Sequence, residues 1–272
     1  MVTPQTKGKI AVVLGARGGT GKMIVNRLCE QGTEAISEVR AVVRNNKSST
    51  PEQEKVIFPE DERVRVMYGD VTDLESLRPA FSDSHLIFNA SSGSGSRNSK
   101  TVEQVDRDSV GNTANFLTRE FSQSVERYVL VTSQFVHPSN KWNPIRIMLN
   151  TIITGPFHKG IMDFKWEGEM LLRKSAIPYT IVRPGRLMDE PYPKGTAMKV
   201  TVGQTNASLG KPISRYDVAG VCIAAAMSDK AKNTTFELGS EPINENQGQV
   251  VTSNSSIPKD LFDNLQPRFL EI

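Results

Sequence analysis

Lys9 to Leu14 reads KIAVVL, a short apolar run that stops at a glycine. With no polar alternation, such a run predicts a strand buried on both faces, as in a parallel sheet. From Thr20 to Gln31 the spacing changes. Met23, Ile24, Arg27 and Leu28 recur at helical intervals, and Gly32 ends the segment. Further strands are expected at Val39 to Arg44, Val64 to Tyr68, Leu86 to Asn89 and Arg127 to Thr132, with helices at Leu74 to Phe81 and Val102 to Phe121.

Strand and helix alternating at this spacing predict an α/β fold, a doubly wound Rossmann-type parallel sheet with helices on both faces. The expected strand order is 3-2-1-4-5-6, with a ligand at the carboxyl ends of the strands near the switch between strands 1 and 4. The second half continues less strictly. Helices are expected at Met162 to Ser175 and Arg215 to Met227, and strands at Tyr179 to Val182 and Thr235 to Leu238. Lys47 to Arg63 reads as a polar surface loop and Gly239 to Pro258 as a loosely packed strap. There is no repeat and no linker, so residues 1–272 are expected to form one dinucleotide-binding domain with a small C-terminal subregion for substrate or partner.

Charge changes this picture little. Lys+Arg number 33 against Asp+Glu 30, a net +3 with the cations scattered, which does not point to nucleic acid. No stretch approaches the ~20 apolar residues of a membrane-spanning helix. Met1 to Lys9 lacks the apolar core of a secretory signal. Cys29 and Cys222 are far apart, without metal spacing, and read as buried thiols. A soluble protein of a reducing compartment is expected: cytoplasm, or an organelle stroma or matrix for a processed form.

The chemistry starts at Gly15-Ala16-Arg17-Gly18-Gly19-Thr20-Gly21, between the first strand and first helix. Gly15 would permit the tight turn, Gly18 the approach of a pyrophosphate, and Gly21 close packing of helix on strand. The helix N-terminus offers unpaired N–H groups to phosphate. A tight turn with no ligand is the alternative. At the end of the second strand stands Arg44, with no carboxylate to take a ribose 2′-hydroxyl. Arg44 and Arg17 together favour NADP over NAD, since an arginine fork suits a 2′-phosphate. Asp70 could accept from the adenine amino group and Val71 pack on the ring, or Asp70 could be a turn residue and Asp73 a helix cap. Asn89, Ala90 and Ser91 end the fourth strand with small residues, where ribose and pyrophosphate would lie.

These residues, with Gly69-Asp-Val-Thr-Asp73, Val129-Leu-Val-Thr-Ser133, Tyr179-Thr-Ile-Val-Arg-Pro-Gly185 and Asp217-Val-Ala-Gly-Val-Cys222, resemble the atypical short-chain dehydrogenase/reductases, in particular their NmrA-like NAD(P)-binding subgroup. The resemblance runs over nearly the whole chain. It implies NADP bound across the sheet, with Thr132, Ser133, Pro184 and Gly185 beside it and Lys165 near the ribose. It also implies a Tyr-x-x-x-Lys pair, in which tyrosine exchanges a proton with the substrate and lysine lowers its pKa. Lys165 and Ser133 match that pattern as catalytic candidates, but the tyrosine position holds Ile161. Asp163, His158, His137 and Tyr192 are near enough in sequence to substitute as the acid.

Pro138 to Gly160 is a long apolar connection, read equally as a substrate lid, a partner surface or a core-packed helical insert. Two functions follow. One is an NADPH-dependent reductase of a small carbonyl, enone or quinone. The other is a non-catalytic NADP(H)-binding sensor, regulator or assembly subunit.

Overall fold

Covered on both sides by helices, β1 (Lys9–Leu14) is buried from Ile10 onward, which is why its run shows no polar alternation. The computed structural model describes residues 8–45, 56–96, 98–155, 159–189, 198–204, 209–242, 257–258 and 260–267. An eight-stranded sheet is ordered β3 (Val64–Tyr68), β2 (Ile36–Val43), β1, β4 (Leu86–Asn89), β5 (Arg127–Val131), β6 (Tyr179–Pro184), β10 (Thr234–Pro242) and β8 (Met198–Gly203). The first six follow the expected 3-2-1-4-5-6 order. All neighbours are parallel except β10 and β8, which are antiparallel. Two short strands, β7 (Leu187–Met188) and β9 (Ile213–Ser214), pair separately.

Alternation along β1 divides the core. Ala11 and Val13 face one layer, with Ile24, Val25 and Leu28 of α1 (Gly19–Cys29) and Val218, Val221 and Cys222 of α7 (Arg215–Met227). Val12 and Leu14 face the other, with Leu77 and Phe81 of α2 (Leu74–Phe81) and Ala114 and Leu117 of α4 (Ser109–Glu120). Ahead of α4 stand α3 (Ser99–Glu103) and one π-helical turn, Gln104–Asp108. After β5 come α5 (Pro144–Thr154) and α6 (Ile161–Lys174).

Several boundaries differ from the sequence pattern. β2 starts at Ile36 because its register carries it alongside Lys9. The helix expected from Val102 begins at Ser99, and its π turn leaves no trace in apolar spacing. β10 runs on to Pro242 because Gly239–Pro242 pairs with β8, a strand the sequence reading left unassigned. That takes residues 239–242 out of the expected strap, whose residues 243–256 lie outside the described residues. Of the expected loop at 47–63, residues 56–63 are described, and Arg63 fastens their end. It donates to Gln31 O at 2.8 Å and Ile36 O at 3.1 Å, and pairs with Asp61 at 2.7 Å.

Candidate functional site

Where β1 and β4 diverge, their carboxyl ends leave a cleft of about 600 Å³, at the switch point where open α/β sheets bind ligands. Gly15 turns the chain out of β1 with φ +72°, and a Cβ there would lie 2.9 Å from Ser91 backbone. Gly21 is set against the same turn, with its missing Cβ 2.2 Å from Gly15 O. Loop and helix can approach this closely only without side chains. α1 begins at its cap residue Gly18 with no side-chain hydrogen bond to its first turn and no acid in it. Its leading N–H groups face an anion site by geometry and dipole.

Gly15, Arg17, Gly18, Gly19, Thr20, Arg44, Asp70, Val71, Ala90 and Ser91 line this cleft. A second hollow of about 580 Å³ opens from it, shared by Arg17, Arg44 and Asp70 and extended by Tyr68 and Ser76. The remaining candidates stand behind the lining. Ala16 is buried and donates its N–H to Val42 O at 3.2 Å, tying the loop to β2. Asn89 donates to buried Tyr128 Oη at 2.8 Å and accepts from Ser91 N at 2.9 Å, so it shapes the loop that lines the cleft. Burial pushes the Tyr128 phenol up. Asp70 takes the turn role considered for it, at the cleft wall. It lines the cleft, while Oδ1 accepts from Thr72 N at 2.9 Å in a turn. Asp73 occupies the cap position of α2 without a side-chain capping bond.

Thr132, Ser133, Lys165, Pro184 and Gly185 are not among the described lining residues. Thr132 Oγ1 donates inward to Glu169 at 2.7 Å. Lys165, only 9% exposed, is held by a buried carboxylate, with Nζ 2.6 Å from Asp106 Oδ1. Asp106 sits on the π turn, and its Oδ2 accepts from Gly93 N at 2.8 Å in the cleft wall. The two helices come this close because of Gly168, whose Cβ would stand 2.4 Å from Asp106 O. Thus Asp106, which the sequence reading did not single out, joins Lys165 to the cleft loop. Arg215 was also missed. Its guanidinium arm lies over Gly19, lines the cleft and pairs with Asp189. The first position of a helix beside a glycine loop was the available signal.

The candidate acids are placed as follows. Ile161 is 2% exposed among Val102, Val136 and Phe164. Both oxygens of Asp163 are taken, Oδ1 by Arg146 at 2.6 Å and Oδ2 by Asn150 at 3.0 Å and Gly160 N at 3.1 Å. His137 stacks edge-on against Trp166, its ring Nδ1 2.7 Å from Ser139 Oγ. Burial, then the charges of Arg183 and Arg173, lower its pKa. His158 and Tyr192 lie outside the described residues. No group of three His, Cys, Asp or Glu that could hold a metal occurs among the described residues.

The residues present fit a dinucleotide. Besides the glycine cradle, Ser91 Oγ is buried at the cleft wall without a hydrogen-bond partner, a position a ribose or phosphate oxygen would satisfy.

Comparison with known proteins bears on the same region. Residues 15–229 match the sequence model of the NAD(P)H-binding family. The chain is 29% identical over 257 residues to an uncharacterized chloroplastic protein of Arabidopsis thaliana, covering 87% of this chain and 71% of that one. It is 26% identical over 263 residues to sanguinarine reductase of Eschscholzia californica, covering 86% and 90%. Among solved structures, an oxidoreductase of Lactococcus lactis superposes with TM-score 0.63 at 18% identity over 85% of this chain and 90% of that one. A short-chain dehydrogenase/reductase of Veillonella parvula in complex with NADP gives 0.59 at 18% over 90% and 99%. At such identities the structural likeness carries the fold.

Proposed function

We propose, on the premise that this chain belongs to the NAD(P)H-binding family of atypical short-chain dehydrogenase/reductase-like Rossmann proteins, that it is an NADPH-dependent reductase of an activated alkene or quinone. The carrying observation is the contrast within the site. The glycine loop, Arg17, Arg44 and Ser91 line a cleft that fits a dinucleotide, while the tyrosine position of the family pattern holds Ile161, buried among apolar neighbours. When bound, the dinucleotide supplies hydride. The α1 N-terminus and Ser91 hold its diphosphate and ribose, and Arg17 and Arg44 hold the 2′-phosphate of NADP. Asp106 fixes Lys165 behind the cleft wall. A positioned acid is worth ~10²–10⁴-fold in carbonyl reduction, and its absence weighs least where the acceptor delocalises the incoming charge and takes its proton from water. Relatives named as reductases support this reading.

The buried Lys165–Asp106 pair also favours a second reading, a non-catalytic NADP(H)-binding regulator or assembly subunit. NADPH oxidation followed spectroscopically with quinones, enones and simple ketones separates the two. Turnover with quinones or enones and little with ketones is expected. NADPH binding without turnover on any acceptor supports the second reading, and fast ketone reduction overturns both. Both thiols are unpaired, which suits a reducing compartment such as cytosol, stroma or matrix, and the Arabidopsis relative is named as chloroplastic.

A further inference from the structure

The helix α5 buries only part of its apolar surface. Its inward face carries Arg146, Asn150 and Thr154 beside Leu149 and Ile153, which pack against Val102, Val136 and Phe164, while Thr151 is exposed. Arg146, 3% exposed, donates to the carbonyls of Phe135, Val136 and His137 at 2.6–2.8 Å and to Asp163. Asn150 bonds both Asp163 and Met162 N. Those bonds, with Leu149 and Ile153 packed on the core, fix the rotation of the helix about its axis and leave its other apolar side chains outward. Trp142, Ile145, Ile147, Met148 and Ile152 are 46–80% exposed, five of the nine large hydrophobic residues exposed among the described ones. Ile145, Met148 and Ile152 recur at helical spacing on one side. A surface helix normally turns polar residues to solvent on this face, and a clustered apolar patch of this kind marks an interaction site.

Charge identifies the partner. From Arg127 to Met162 the sequence contains no Asp or Glu. Exposed Lys141 and Lys159 flank the helix; Lys159 pairs with Glu167 from the next helix, whereas Lys141 stands 5.5 Å over the Trp142 ring. Two copies of this face would meet cation to cation. An apolar stripe with an aromatic and lysines at its ends is instead complementary to lipid headgroups over acyl chains, with the indole and ammonium at headgroup level. We infer that α5 is an in-plane docking helix for an anionic lipid bilayer, about 16 Å long, with its apolar side chains entering the acyl boundary and its lysines among the headgroups.

The full chain should co-sediment with mixed phosphatidylglycerol–phosphatidylcholine vesicles, bind phosphatidylcholine vesicles far more weakly, and detach as salt rises. Brominated acyl chains should quench Trp142. The double variant Ile145→Ser/Ile152→Ser should lose more than about tenfold in partitioning while keeping its melting temperature and NADPH affinity. Absence of partitioning, equal partitioning on both lipids, or an unaffected double variant would overturn the inference. So would a concentration-dependent dimer, seen by analytical ultracentrifugation, that the double variant abolishes. That result would assign the face to a second copy.

Discussion

A ribose 2′-phosphate needs a cation where a 2′-hydroxyl needs a carboxylate, and β2 ends in Arg44 and Asn45. Arg44 and Arg17 border both hollows of the cleft. Arg44→Ala should weaken NADPH roughly tenfold or more, the value of a charged hydrogen bond at ~1.5–3 kcal/mol, and leave NADH nearly unchanged. Calorimetry with both cofactors checks this, and equal losses would remove Arg44 from the phosphate. The thiols stand at the other extreme of reactivity. Burial pushes Cys29 up to about 11 and Cys222 up to about 12, so neither presents thiolate near neutral pH.

At the scale of elements, a buried charge cluster explains how α6 is seated. Arg183 on β6 donates to Glu169 at 2.6 Å and to Glu237 on β10 at 3.0 Å, and all three are buried. Arg173 joins through Thr235 at 2.9 Å, and Trp166 lies 5.5–5.6 Å from both guanidinium groups. Removing one partner of a buried pair strands the other, at about 3–5 kcal/mol. Arg183→Met should therefore destabilise by about that much in denaturant titration. Adding Glu169→Gln should recover part of the loss, because one of two facing carboxylates is then neutral. Additive losses would show that the residues act independently. The same cluster shows what a sequence hides. Glu169, Arg183 and Glu237 each read locally as a surface charge, since their partners come from different elements. Asp106 is concealed likewise, 59 residues from Lys165.

For the whole molecule, legibility follows burial. β1 and β4 were read at their true bounds, since helices on both faces force continuous apolar runs; β3, at the sheet edge with Arg65 and Tyr68 exposed, was read from its alternating Val64, Val66 and Tyr68. β8 was not, because an edge strand whose residues are half-buried, with Lys199 exposed, carries neither an apolar run nor clean alternation. Of the cleft, the glycine loop and Arg44 were readable because local backbone chemistry demands them. Arg215, Asp106 and Gly93 come together only through topology. The join at Arg63 links distant parts of the chain and titrates. Hydrogen bonds from Arg63 hold the Asp61 carboxyl below its usual range. A carboxylate depressed in this way stabilises the fold above its unfolded pKa of about 4, and that contribution is lost as pH falls through the folded value. Asp61→Asn should accordingly lower the melting temperature by a few degrees at neutral pH and flatten its acid dependence below about pH 4. Parallel wild-type and variant curves throughout would contradict this.

The antiparallel edge adds a constraint in time. β8 leaves the ribosome before the strand that must separate it from β6. Its whole ladder runs to β10, residues 234–242. At ~5–20 residues per second, the intervening ~30 residues take roughly 2–6 s. During that interval both β6 and β8 present unpaired edges to solvent, the state in which nascent strands recruit chaperones or each other. A sheet whose inner strand follows its edge strand in the chain is therefore most vulnerable until that inner strand has emerged.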